Sequence, residues 1–115
     1  MFNWKKPTVQ MLGRWQPWHD GHQALFKRCV MKTGQVIIQV RDVQGSSGGE
    51  GQDDNPFDFD AVCFNIEKGL VSDGFKRGFE YEIMLVPNIV NISYGRKVGY
   101  IFEEESFDKS FEEIS

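Results

Sequence analysis

Apolar residues recur along the chain with two different periods. Pro7-Thr-Val-Gln-Met-Leu12 is a short β-prone run that ends at Gly13 and predicts a buried first strand. From Gln23 to Met31 the spacing becomes helical, with Leu25, Phe26, Cys29 and Val30 on one stripe and Gly34 where a C-terminal cap belongs. Gln35-Val-Ile-Ile-Gln-Val40 is β-branched and nearly continuous in apolarity, as expected for the inside of a parallel sheet. A Gly/Ser/acid-rich stretch from Gln44 to Asp54 reads as a surface loop, either a lid or plain disorder. Asn55-Pro-Phe-Asp-Phe59 reads as the start of a second helix, in which Phe59, Val62, Cys63, Ile66 and Leu70 repeat at i, i+3, i+4, i+7 and i+11 as one apolar face.

Gly74 to Gly78 breaks that helix, and Tyr81-Glu-Ile-Met-Leu-Val86 is a third strand stopped by Pro87. Asn88 to Lys97 reads as a loop entering a short helix, Val98 to Glu103 as a candidate fourth strand, and Phe107 to Ile114 as the start of a final helix. Strand–helix–strand–helix–strand order with short connections implies right-handed crossovers and a parallel α/β sheet. In such sheets ligands bind at the carboxyl ends of the strands. Three segments meet there: Gly13–His22, Arg41–Asn55 and Pro87–Lys97.

The chain has 115 residues, enough for one domain over 1–115 with its own core. Ten Phe, three Trp and three Tyr are too much apolar bulk for a solvated, disordered chain. No stretch of about 18 apolar residues is present to span a membrane, and Met1–Lys6 has no apolar run behind its two lysines, so no signal peptide is read there. Cys29 and Cys63 each lie in an apolar-periodic segment and read as buried thiols in a reducing, cytoplasmic compartment. The net charge of −4 is unevenly spread. Residues 101–115 carry six acids and one base, which leaves a near-neutral body. That balance does not suggest nucleic-acid steering, but it leaves room for a local basic pocket suited to a small anion.

The unusual chemistry is concentrated in Gly13-Arg-Trp-Gln-Pro-Trp-His-Asp-Gly-His22. The only two histidines of the chain, His19 and His22, lie three apart across the start of the first helix, flanking Gly21. Backbone amides at a helix N-terminus favour anions, Gly13 would allow a phosphate close to the backbone, and Arg14 adds a permanent charge. Trp15 and Trp18 either wall this site or belong to the core. The histidine pair alone would equally suit incidental surface positions, and as a zinc fragment it lacks a third ligand.

These ten residues resemble the G-R-F-Q-P-x-H-x-G-H signature of the nucleotidyltransferase superfamily that contains adenylyl- and cytidylyltransferases. Asn55-Pro-Phe57 is similar to the N-P-F segment that opens the second helix in nicotinamide-nucleotide adenylyltransferase-like members, and Val86-Pro-Asn-Ile89 to their V-P-D-I turn. The resemblance runs over residues 8–100 in the same order. It implies a Rossmann-like three-layer sandwich with a small parallel sheet, short of the family's C-terminal part. A second family signature, I-S-x-T-x-x-R, has two candidate relics. Ile92-Ser-Tyr-Gly-Arg-Lys97 lacks the threonine and comes early, and Ile114-Ser115 is better placed but stands at the last residues.

By this resemblance His19, His22 and Arg14 would be catalytic, with Gly13, Trp15, Gln16, Pro17 and Gly21 around the nucleotide. Arg41, Asn88 or Arg96 would meet an anionic acceptor; solvated surface charge is the plain alternative for the arginines. The implied reaction moves a nucleoside monophosphate from CTP or ATP to a small phosphate or phosphonate, releasing pyrophosphate. Mg²⁺ would arrive on the triphosphate, with no dedicated metal site in the protein. Gln16 leans toward adenylyl transfer, whereas the W-Q-P-W wording and the short N-P-F-D-F helix lean toward CMP. The alternative is a nucleotide-binding module without turnover, because the second signature is missing or cut short. No nucleic acid or membrane partner is expected, and an edge strand leaves room for self-association.

Overall fold

The computed structural model describes residues 1–44, 55–96 and 99–105. Strand β1 (Val9–Gly13), helix α1 (Asp20–Thr33), β2 (Val36–Arg41), α2 (Phe59–Ser72) and β3 (Tyr81–Val86) follow one another in the expected alternation. The three strands are parallel in the order β1-β2-β3, with Val9, Val36 and Tyr81 in one register row and Met11, Ile38 and Ile83 in the next. This is the expected small parallel α/β sheet.

Alternation along the strands decides which face is covered. Met11, Val36, Ile38, Val40, Tyr81 and Ile83 share a cluster with Phe26 and Cys29 of α1 and with Val62, Cys63, Ile66 and Leu70 of α2. Both helices therefore pack on the same face, as two right-handed crossovers in sequential strand order require. Phe26 is fully buried and meets Phe75 and Tyr81 edge-on, with ring centroids 5.0 and 5.8 Å away. Residues on the opposite face, such as Gln10, Leu12, Ile37, Gln39 and Met84, are half-buried or exposed. Among the described residues no helix covers that face, so two of the three expected layers are present.

Local chemistry sets the element ends. Helix α1 starts at Asp20, three residues before the apolar periodicity, because His19 is its N-cap. It ends at Gly34, whose φ of 86° only glycine adopts cheaply and whose N–H bonds Val30 O at 2.7 Å. Helix α2 starts at Phe59 rather than at the expected Asn55, because Asp58 caps it by accepting the Ala61 amide at 2.9 Å. Two further expectations are corrected. Residues 88–96 form no helix, and 99–103 form no fourth strand. Instead Glu103 and Glu105 lie against the outer surface of α1, pairing with Lys32 at 3.0 and 2.9 Å, so side-chain ion pairs rather than a backbone ladder place this segment. The expected helix at Phe107–Ile114 and most of the Gln44–Asp54 loop lie outside the described residues.

Candidate active site

The carboxyl ends of β1, β2 and β3 lie along one edge of the parallel sheet, and the first βα junction at that edge carries both histidines. His19 caps α1 with its own ring, Nδ1 accepting from the Gly21 and His22 amides at 3.1 and 3.4 Å. His22 reciprocates, its Nδ1 accepting from the His19 amide at 3.3 Å. This is a capping box in which both side chains are imidazoles. A nitrogen that accepts from an N–H carries no proton, so each neutral ring holds its proton on Nε2. The rings stack with centroids 3.6 Å apart and planes 19° from parallel, bringing two Nε2–H donors into one neighbourhood. The expected anion grip through helix amides is thus changed in kind: the Gly21 and His22 amides point to the His19 imidazole.

Burial, with the neighbouring His19 as the second cause, pushes the His22 pKa down from 6.5 to about 4. At neutral pH this ring is a hydrogen-bond donor rather than a cation. The folded chain thus resists a proton that the unfolded chain accepts between pH 6.5 and about 4. Stability should be level above pH 6.5 and fall as the pH drops toward 4. The full shift corresponds to at most about 3 kcal/mol, and solvent screening of a partly buried ring leaves about 1–2 kcal/mol. Urea unfolding between pH 7 and 4 measures it. His22→Gln, which keeps an acceptor for the His19 amide, should flatten much of that slope.

The tryptophans belong to the interior and also shape the site. Trp15 and Trp18 are 5 % and 8 % exposed, and each contacts the His22 ring, at 4.7 and 5.6 Å between centroids. Trp15 holds the left-handed φ of 55°, and its Nε1–H donates to Gln39 O at 3.0 Å. Its indole fills the space beside Gly13, where a Cβ would come within 2.8–3.0 Å of three ring atoms. In this structure Gly13 admits a tryptophan there. Gly13→Ala should cost about 1–3 kcal/mol in thermal unfolding, since a ring pinned in the core has no room to withdraw.

Arg14 and Gln16 tie the first junction to the segment before α2. Arg14 NH1 donates to Asn55 Oδ1 at 3.0 Å. Gln16 makes a reciprocal pair with Phe57, Nε2 donating to Phe57 O at 2.8 Å and Oε1 accepting from Phe57 N at 2.9 Å. Gln44 Nε2 also donates to Phe57 O at 2.8 Å. The amide expected among the nucleotide-binding groups thus joins two loops. Nothing local signals this, because the partners are 41 residues apart. Pro17 is exposed, and Gly21 is buried in the first turn of α1.

Of the expected acceptor residues, two meet. Arg41 NH2 donates to Asn88 Oδ1 at 2.8 Å, while Arg96 lies exposed on the later loop without a bond to either. Arg41 borders two cavities. One, of about 420 Å³, is lined by Leu12, Ile89, Val90, Asn91 and Ile92, and the other, of about 190 Å³, faces α2. The Ile92–Arg96 candidate for a second phosphate signature is exposed, and Ile114-Ser115 lies outside the described residues.

No family model matches the chain. A nicotinamide-nucleotide adenylyltransferase of Methanococcus aeolicus is 30 % identical to it over 79 residues, 69 % of this chain and 41 % of that protein. The chain thus spans well under half the length of this curated relative. Its likeness to that enzyme supports a place in the nucleotidyltransferase superfamily, and the parallel sheet agrees with a Rossmann-like unit. No helix among the described residues is long and apolar enough to cross a membrane.

Proposed function

We propose that this chain carries the nucleotide-binding half-site of a nucleotidyltransferase, at the junction of β1 and α1. The observation that carries the reading is the stacked His19–His22 pair at a strand's carboxyl end, locked by mutual capping in which each Nδ1 accepts a backbone amide; in the proposed site each Nε2–H is a donor. Such donors suit a polyphosphate. They need no reorganisation when charge develops on the α-phosphate or the leaving pyrophosphate, the condition under which preorganised dipoles stabilise a transition state best.

In the proposed reaction an acceptor phosphate or phosphonate oxygen attacks the α-phosphorus of the nucleoside triphosphate in line. The new O–P bond forms as the bond from the α-phosphorus to the bridging oxygen breaks, and pyrophosphate leaves with the electron pair. His19 and His22 stabilise the five-coordinate phosphorus and the leaving group, and Arg14 moves from Asn55 to the triphosphate. Arg41, held by Asn88, orients the acceptor, so positioning rather than covalent catalysis lowers the barrier. Mg²⁺ is part of the proposal as a charge carried on the triphosphate. The described residues gather no group of three histidine, cysteine or carboxylate side chains, so phosphate oxygens and water would supply most of its ligands.

CTP is proposed as donor on the W-Q-P-W and N-P-F-D-F likeness. ATP is the second reading, favoured by the adenylyltransferase name of the relative. The test is pyrophosphate release by the full chain with Mg²⁺, CTP or ATP, and a panel of small phosphates and phosphonates. Release with one nucleotide assigns the donor. A rise in melting temperature with nucleotide but no release in any combination would leave a binding module without turnover.

A further inference from the structure

We propose that the smaller cavity, between the ends of β2 and β3 and the start of α2, receives an uncharged apolar substituent of the acceptor while its acidic group pairs with Arg41. This rests on the nucleotidyl-transfer reading. The cavity of about 190 Å³ is walled by Val40, Val43, Phe57, Phe59, Val62 and Leu85. Gln16 and Gln44 also line it, but their side-chain amides are already bonded to the backbone of Phe57 and Asn55. Among the described residues, Arg41 Nε is a buried donor without a hydrogen-bond partner, on a guanidinium whose other arm is fixed by Asn88. An acid group arriving at Arg41 gives that N–H the acceptor it lacks.

The rest of the lining restricts what the acid can carry. Asp42 is also among the lining residues, so the wall disfavours a second negative charge in the ligand. A cavity of about 150 Å³ lined by apolar side chains holds a benzene ring, so a phenyl or short alkyl group fits this volume. A ribosyl group suits it less, because the wall is mostly apolar and the Gln16 and Gln44 amides are already bonded, so a hydroxyl that does not reach Asp42 forfeits its partners, a loss of about tenfold or more per group. The acceptor class is therefore a small alkyl or aryl phosphate or phosphonate, unlike the nucleotide in the relative's name.

Phenylphosphonate and ribose 5-phosphate, offered separately to the full chain with Mg²⁺ and the stabilising nucleotide, provide the test. Phenylphosphonate should bind by calorimetry and be used at least tenfold better in kcat/KM. Leu85→Trp, which fills the cavity from its exposed rim, should abolish that preference while the nucleotide-induced rise in melting temperature reports that the variant is folded. Equal or better use of ribose 5-phosphate, no binding of phenylphosphonate to the nucleotide-loaded chain, or a preference that survives Leu85→Trp would each overturn the proposal and leave nucleotide binding standing. If no nucleotide raises the melting temperature, the functional reading fails and this inference fails with it.

Discussion

His19→Ala is expected to slow nucleotidyl transfer by about 10²–10³-fold, or about 3–4 kcal/mol, and to lower unfolding stability by about 1 kcal/mol. The two losses come from two ends of one ring. Nδ1 accepts from the Gly21 and His22 amides, so alanine leaves the first turn of α1 without its cap. In the proposed mechanism Nε2 carries the proton offered to the phosphates, so alanine would also remove a preorganised donor. His19→Asn separates the effects. Asparagine is a good N-cap but has no imidazole, so it should restore most of the stability and little of the rate. Thermal unfolding and pyrophosphate release on the two variants measure both, and wild-type turnover in His19→Ala would remove His19 from the mechanism.

Trp15→Ala should cost about 3–5 kcal/mol of stability, a large part of the roughly 5–15 kcal/mol available to a small domain. The indole is 5 % exposed, bonds Gln39 O and touches Trp18 at 5.2 Å between centroids, so its removal opens a void and takes a hydrogen bond from a strand carbonyl. The same change should reach the site. Trp15 stands edge-on to His22, whose low pKa comes mainly from burial. Water admitted beside the ring should lift that pKa from about 4 toward 6.5, as read by NMR titration of the His22 ring protons. Trp15→Phe should keep more of the packing and a lower His22 pKa than alanine does. A His22 pKa unmoved in Trp15→Ala would mean that other groups, not this indole, keep water from the imidazole.

The elements that apolar periodicity could reveal were legible in the chain. The two helical stripes, Leu25 to Val30 and Phe59 to Leu70, pack on the face that the alternation of β2 presents. The start of α1 near Asp20 and its end at Gly34 were legible too, whereas α2 starts at Phe59 rather than Asn55 because a single side chain, Asp58, sets its cap. Val98–Glu103 looks strand-like in composition, yet described residues 99–103 form no strand, and Glu103 and Glu105 are drawn to Lys32. The histidine pair stood out in the chain as the only two histidines at a strand–helix junction, but their reciprocal capping and stacking depend on backbone geometry. Least legible were the contacts between distant segments. Gln16 with Phe57, Arg14 with Asn55, and Gly69 packed closely against Trp18 and Gln23 join residues far apart in the chain and leave no periodic trace.

The most direct test of the central claim is a ¹H–¹⁵N NMR titration of the full chain with Mg²⁺ and CTP or ATP. Binding at the first junction should shift the Nε2–H resonances of His19 and His22 and the amides of Gly21, His22 and Gln23, with the His22 ring remaining protonated at Nε2 alone at pH 7. Shifts confined to other segments, or none with either nucleotide, would contradict a phosphate site built on the stacked histidines.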